Sequence, residues 1–170
     1  MIIMTTILLL AGGKSTRMGR DKAMMKGGVN RLLTIYSELG AQRIITLCGA
    51  SSRIELFEGE VWPDPAEVTG PLELIKWCLT KIEDDIQIVP CDAFSLLETG
   101  ADWLLKQENG VPIDNSKQRQ PLMARISNRE LINHEATTIN GLFAKFPSLE
   151  EVEFSKQFSN FNTNSELVND

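Results

Sequence analysis

The sequence predicts an α/β protein built on an open, mostly parallel sheet with helices on both faces. Three observations predict it. Short β-rich runs alternate with helical patterns from the first residues onward, and such alternation favours parallel sheets with crossover helices. The first run, Ile2 to Leu10, is almost wholly apolar, as a strand covered on both faces must be. Glycine, proline and aspartate gather just after these runs, at Ala11 to Lys22, Pro63 to Gly70 and Pro90 to Phe94. In open α/β sheets ligands sit beyond the carboxyl ends of the strands, so these three segments are the expected site.

The elements follow in order. After the strand Ile2 to Leu10, Val29 to Leu39 carries Leu32, Leu33, Tyr36 and Leu39 at helical spacing and ends at Gly40, a C-cap residue. Arg43 to Cys48 is read as the second strand, Ser51 to Phe57 as a short helix and Glu60 to Trp62 as a short strand. Pro71 to Ile82 is read as a helix burying Leu72, Ile75 and Leu79. Asp85 to Pro90 follows as a strand and Phe94 to Lys106 as a helix. Gly110 to Ile113 and Pro121 to Ile126 are read as strands around a polar turn. Helical stretches follow near Asn128 to His134 and Thr137 to Phe146, then a strand at Val152 to Phe154 and a terminal helix from Ser165 to Val168.

The chain of 170 residues reads as one domain, 1–170, large enough to bury a core. Its hydrophobic content of 42% and charged content of 24% are ordinary for a soluble globular protein. The net charge of −6 argues against nucleic acid or an anionic membrane as partner. Cys48, Cys78 and Cys91 are few, scattered and odd in number, which argues against a disulfide framework or a zinc site. The apolar start lacks basic flanks and is too short to span a bilayer. A cytoplasmic location is therefore expected. His134 stands in a polar segment and is expected to be exposed and idle. Trp62, Trp77 and Trp103 are expected to pack in or against the core.

One segment stands out electrostatically. Residues 14 to 26 carry Lys14, Arg17, Arg20, Lys22 and Lys26 against Asp21 alone, in an otherwise acidic chain. Gly13-Lys14-Ser15 looks like the end of a P-loop, but the first glycine of that motif would fall at Leu8, inside the strand. Gly12, Gly13 and Gly19 do not match the Gly-x-Gly-x-x-Gly dinucleotide spacing either. Two readings remain. One is a glycine turn whose amides approach a ligand closely, followed by Arg17 as a planar fork and Lys22 as a point charge for a triphosphate. The other is a tight strand–helix turn with solvated cations.

Leu10-Ala11-Gly12-Gly13 with Arg17-Met18-Gly19-Arg20-Asp21-Lys22 resembles the nucleotide-binding signature of the molybdenum cofactor guanylyltransferases, within the wider nucleotidyltransferase group. Four later blocks resemble that family in the same order: Asp64 with Gly70-Pro71-Leu72, Val89-Pro90-Cys91-Asp92, Gln120-Pro121-Leu122-Met123-Ala124, and Asn160 to Thr163 with Glu166-Leu167. The resemblance implies a Rossmann-like nucleotidyltransferase fold. It implies transfer of GMP from GTP to the terminal phosphate of Mo-molybdopterin, with pyrophosphate leaving and Mg²⁺ (or Mn²⁺) required. By resemblance, Arg17, Lys22 and Asp92 carry the reaction, and Asp92 holds the metal. Leu10, Ala11, Gly12, Gly13, Asp64, Gly70, Asn160 and Asn162 join Arg17 and Lys22 in binding the substrates. Transient contacts with cofactor-delivery proteins are also implied.

The chain departs from the family pattern at three places. Met24 to Asn30 lacks the Gly-Lys-Pro that usually precedes the long helix. Leu74 replaces a glycine and is expected to crowd the base or sugar. Ala93-Phe94 follows Asp92 where Thr/Met-Pro is usual. A relative using a cytidylyl or sugar-phosphate substrate, or a binding domain without turnover, therefore stands as the alternative reading. Without the resemblance, Asp92 reads equally as a helix N-cap and Asp64 as a turn residue.

Overall fold

The computed structural model describes residues 4–12 and 22–159, apart from the side chains of Lys22, Met25 and Lys26. The chain runs through β1 (Thr5–Leu10), α1 (Gly28–Glu38), β2 (Arg43–Gly49), β3 (Glu60–Pro63), α2 (Gly70–Lys81) and β4 (Asp85–Pro90). It continues through α3 (Glu98–Leu105), β5 (Val111–Pro112), β6 (Arg125–Ile126), α4 (Ile139–Leu142) and β7 (Ser148–Leu149). Five strands form one sheet in the order β3-β2-β1-β4-β6. The first four are mutually parallel, and β6 adds antiparallel to β4 at the edge. β5 and β7 pair separately as a two-stranded parallel ribbon. The expected α/β architecture is the one observed.

The period-two alternation of strand side chains divides the core between the two faces. Ile7 and Leu9 point to one face, where they meet Val29, Leu32 and Tyr36 of α1 and Ala101 and Leu104 of α3. Leu8 points to the other, joining Ile75 and Cys78 of α2 and Leu142 beside Phe143. Ile7, Leu8 and Leu9 are all fully buried. Each such side chain contributes about 2 kcal/mol of burial, so this central strand cannot slip its register without losing several contacts of that size.

The register sets where the loops emerge. Leu10 stands opposite Leu47 of β2 on one side and Pro90 of β4 on the other. The ladders extend one step further: Ala11 N–H donates to Leu47 O at 2.9 Å, and Cys91 N–H donates to Leu10 O at 2.9 Å. Thus Ala11-Gly12 and Cys91-Asp92 leave the sheet at the level of Cys48-Gly49, the last residues of β2. The strand order reverses between β1 and β4, which marks the crevice used by ligands in this architecture.

Several expectations need correction. The helix expected from Phe94 begins only at Glu98. Residues before it form turns because the Arg31 side chain takes the carbonyls of Ala93 and Leu96, and the Gln157 side chain takes the amides of Leu97 and Gly100. The strand expected over Pro121 to Ile126 is a 3₁₀ turn, Pro121–Met123, followed by β6. Pro121 lacks the amide a ladder needs and fits the first turn of a helix instead. Val152 to Phe154 is a turn, and the strand in that region is Ser148–Leu149. Asn128 to His134 contains only a 3₁₀ turn, Arg129–Leu131, and the helix expected over Thr137 to Phe146 is confined to Ile139–Leu142. In α2 the buried residues are Leu74, Ile75 and Cys78, with Leu72 and Leu79 only partly covered. The helix expected at Ser165 to Val168 lies outside the described residues. The three cysteines are free, Cys48 and Cys78 buried and Cys91 half-buried. Trp62, Trp77 and Trp103 pack against the core, and His134 is exposed. Among the described residues no helix is long and apolar enough to cross a membrane.

Candidate functional site at the carboxyl edge of the sheet

Gly12 is where the backbone of the first loop meets β2. A Cβ added to Gly12 would stand 2.8 Å from both Cα and N of Gly49. That is backbone against backbone, so no side chain can be accommodated without displacing the loop. Gly49 itself has φ 82°, a conformation that favours glycine. The two glycines let the turn after β1 lie flat on the end of β2, leaving Gly12 exposed at the rim.

The turn is held from outside the sheet. Arg53 donates from Nε to Cys48 O at 2.8 Å and from Nη2 to Ala11 O at 2.8 Å. Its guanidinium also lies 5.7 Å from the centre of the Phe57 ring. A planar fork bridging two carbonyls fixes their relative position better than a single flexible amine would. Arg53 was not singled out from the sequence; an isolated arginine in Ser51-Ser52-Arg53 reads as a solvated cation.

Asp64 follows β3 on the next strand out. Its N–H donates to Gly49 O at 2.7 Å, which ties the β3 end to the same glycine. Its Oδ1 is buried with no hydrogen-bond partner. A turn aspartate would use that oxygen on nearby backbone amides, so the turn-residue reading does not describe it. Burial pushes its carboxyl pKa above the ordinary carboxylate value. Its charge is felt by two neighbouring thiols. Burial, with a smaller contribution from Asp64, pushes the Cys78 thiol up to about 12. Burial is likewise the main cause of the raised Cys48 thiol, opposed by a bond to its backbone and added to by Asp64. An unpaired buried carboxylate oxygen is costly.

Asp92 leaves β4 on the far side of β1. It is half-buried, and its carbonyl accepts from Phe94 N–H at 2.8 Å. Because α3 starts at Glu98 with Leu97 as its N-cap position, Asp92 does not cap that helix. Across the strand order, the ends of β3 and β4 are three strand spacings apart, about 14 Å. Asp64 and Asp92 therefore flank the rim rather than share one ion, with Gly49 and Gly12 between them. Among the described residues no group of three or more His, Cys, Asp or Glu forms a metal cage. A Mg²⁺ held by one or two carboxylates plus waters and phosphates needs no such cage, so Asp92 fits that kind of site.

Gly70 opens α2 with φ 84° and open space around the position of a Cβ. Leu74 is 7% exposed and lies in the core with Leu8 and Ile75. Leu10 is half-buried and Ala11 buried at the end of β1. The structure thus brings Leu10, Ala11, Gly12, Asp64 and Asp92 to one edge. Gly13, Arg17, the Lys22 side chain, Asn160 and Asn162 lie outside the described residues.

Residues 7–143 match the family model of the MobA-like NTP transferase domain. The chain belongs to that family. Among individual proteins, it is 32% identical over 94 residues to a Synechococcus elongatus protein named "Probable molybdenum cofactor guanylyltransferase", a match covering 50% of this chain and 48% of the relative. The match thus spans about half the length of the curated relative. Among solved structures, protein Aq1419 of Aquifex aeolicus superimposes with a TM-score of 0.72 at 17% identity, over 95% of each chain. The 4-diphosphocytidyl-2C-methyl-D-erythritolsynthase of Anaerococcus prevotii gives a TM-score of 0.56 at 11% identity, over 98% of this chain and 95% of that one. At such identities the structural likenesses speak for the fold alone. The first matched residue of the MobA-like domain, Ile7, lies in β1, and the last, Phe143, just follows α4.

Proposed function

We propose that this MobA-like protein is a nucleotidyltransferase that moves GMP from GTP to Mo-molybdopterin. A terminal phosphate oxygen of the pterin attacks the α-phosphorus of GTP. The bond from that phosphorus to the bridging oxygen breaks, and pyrophosphate leaves with the electron pair. No side-chain nucleophile is needed. Positioning and charge neutralisation carry such reactions.

The observation that carries this reading is the rim itself: a side-chain-free turn at Gly12, tied to Gly49, with one carboxylate on either side. In this reading the Ala11 to Gly13 turn receives the phosphates. Arg17 steadies the β- and γ-phosphates, and Lys22 neutralises charge at the α-phosphate. Asp92 would hold Mg²⁺, which when bound neutralises phosphate charge and polarises the phosphoryl group. Asp64 faces the nucleoside from the end of β3. Gly70 leaves space beside it. Gln120 to Ala124, with Asn160 and Asn162, would meet the pterin.

A melting experiment tests the base. GTP with Mg²⁺ is expected to raise Tm more than CTP or ATP with Mg²⁺ at equal concentration, since only a ligand bound to the folded state stabilises it. Equal shifts from all three would remove the guanine assignment. A larger shift from CTP would favour the cytidylyl alternative.

A further inference from the structure

We propose that Arg31 is a positioning residue for the Asp92 carboxylate, locking the loop after β4 to the segment that begins at Lys22. This rests on the reading of Asp92 given above.

The loop from Asp92 to Leu97 has little regular structure of its own. Its internal bonds span two or three residues: Ala93 N–H to Pro90 O at 3.1 Å, Phe94 N–H to Asp92 O at 2.8 Å, and Leu96 N–H to Ala93 O at 3.2 Å. Such turns define local curvature, and the Cys91 N–H bond to Leu10 O at 2.9 Å fixes where the loop leaves the side of β1, but neither ties it to the helix layer. Arg31 supplies that long-range tie. Its Nη1 donates to Leu96 O at 2.6 Å and its Nη2 to Ala93 O at 2.8 Å. The partners are 65 and 62 residues away in sequence. Ala93 and Leu96 are fully buried, so the loop is pinned on its apolar side as well. Gln157 secures the far end through Leu97 and Gly100.

The other end of the tie is also rigid. A 3₁₀ helix, Lys22–Gly27, leads directly into α1, of which Arg31 is the fourth residue. A Cβ at Gly28, where φ is 54°, would lie 1.9 Å from Ala23 O. Ala23 is itself 1% exposed. Ala23 and Gly28 are therefore in close backbone contact just before Arg31. Through Arg31, the backbone that carries Lys22 and the backbone that carries Asp92 are held in one fixed relation. Two of the three departures from the family pattern, at Met24 to Asn30 and at Ala93-Phe94, flank this contact on its two sides. Burial lowers the Arg31 pKa, but the guanidinium keeps two charge-assisted bonds to carbonyls, which are among the stronger neutral-acceptor bonds.

The test uses the whole chain with GTP and molybdopterin and compares Arg31→Met, Arg31→Lys and Asp92→Asn. Two quantities are read: the Mg²⁺ concentration for half-maximal pyrophosphate release, and Mn²⁺ affinity from water-proton relaxation with a non-hydrolysable GTP analogue. Residues that orient a metal-holding group typically change metal affinity by about tenfold or more when replaced. Arg31→Met is expected to raise both metal constants about tenfold, with metal-free nucleotide affinity held near wild type. Arg31→Lys, which keeps the charge and one carbonyl contact, is expected to fall between and serves alone if the methionine variant does not fold. A lower Tm with unchanged metal constants in the lysine variant would make Arg31 merely structural and overturn the proposal. If Asp92→Asn leaves the metal constants unchanged, the reading of Asp92 fails and the Arg31 proposal with it.

Discussion

The two edges of the main sheet use the same chemical device to different ends. At the amino edge, Arg129 donates to Leu79 O at 2.7 Å, to Ile82 O and to Asp84 O at 2.8 Å, covering the last carbonyls of α2 and the entry to β4. Arg125, 6% exposed, reaches Ile86 O and Thr5 Oγ1 and pairs with Asp85 at 3.7 Å. At the carboxyl edge, Arg53 and Arg31 likewise bind backbone carbonyls, but those of Cys48, Ala11, Ala93 and Leu96. A helix end already has its geometry set by the helix, so an arginine there adds stability. A loop past a strand end keeps the ladder for only one further residue, at Ala11 and at Cys91. An arginine there decides where the loop stands, and so where a ligand is met.

The difference can be broken by substitution. The largest stability effect is expected at the amino edge. Arg129→Met removes a charged donor from three carbonyls and is expected to cost about 2 kcal/mol by chemical denaturation, with nucleotide affinity of the folded protein unchanged. Arg53→Met is expected to cost less stability but to weaken GTP binding about tenfold, or about 1.4 kcal/mol by calorimetry, because the Ala11-Gly12 turn loses its outer tie. If the two variants show the same balance of stability and affinity loss, the proposed division between the edges is wrong.

The smallest effect concerns Asp64. Burial raises its carboxyl pKa in the folded protein, so the folded state holds the proton more tightly than the unfolded chain does. The resulting stabilisation is complete below the unfolded value of about 3.9 and is lost as pH rises through the folded value. Asp64→Asn removes that loss. Its Tm is expected to match wild type in acid and to exceed it at neutral pH, while GTP affinity falls. A Tm difference independent of pH would show that the buried carboxylate is not the cause.

Much of the fold was legible because it rests on periodicity. β4 begins and ends where its apolar run does, and α1 follows the spacing of Leu32 and Tyr36 to Gly40. The errors fall where distant side chains override local preference. The chain after Asp92 has helical composition, but Arg31 and Gln157 take the backbone groups that an earlier helix start would need. That Gly12, Asp64 and Asp92 stand at the carboxyl edge was legible from their positions after a strand, while the roles proposed for them came from the resemblance. Arg31 and Arg53 were not legible, since three of the four carbonyls they hold are 42 to 65 residues away, which no local pattern marks.

The most direct measurement is transfer from GTP labelled at the α-phosphate to molybdopterin, with pyrophosphate release followed in parallel. The expected result is labelled GMP joined to the pterin, one pyrophosphate released per transfer, and loss of both signals in Lys22→Ala and Asp92→Asn variants that remain folded. Failure of the wild-type protein to transfer label, or undiminished transfer by either variant, would contradict the account.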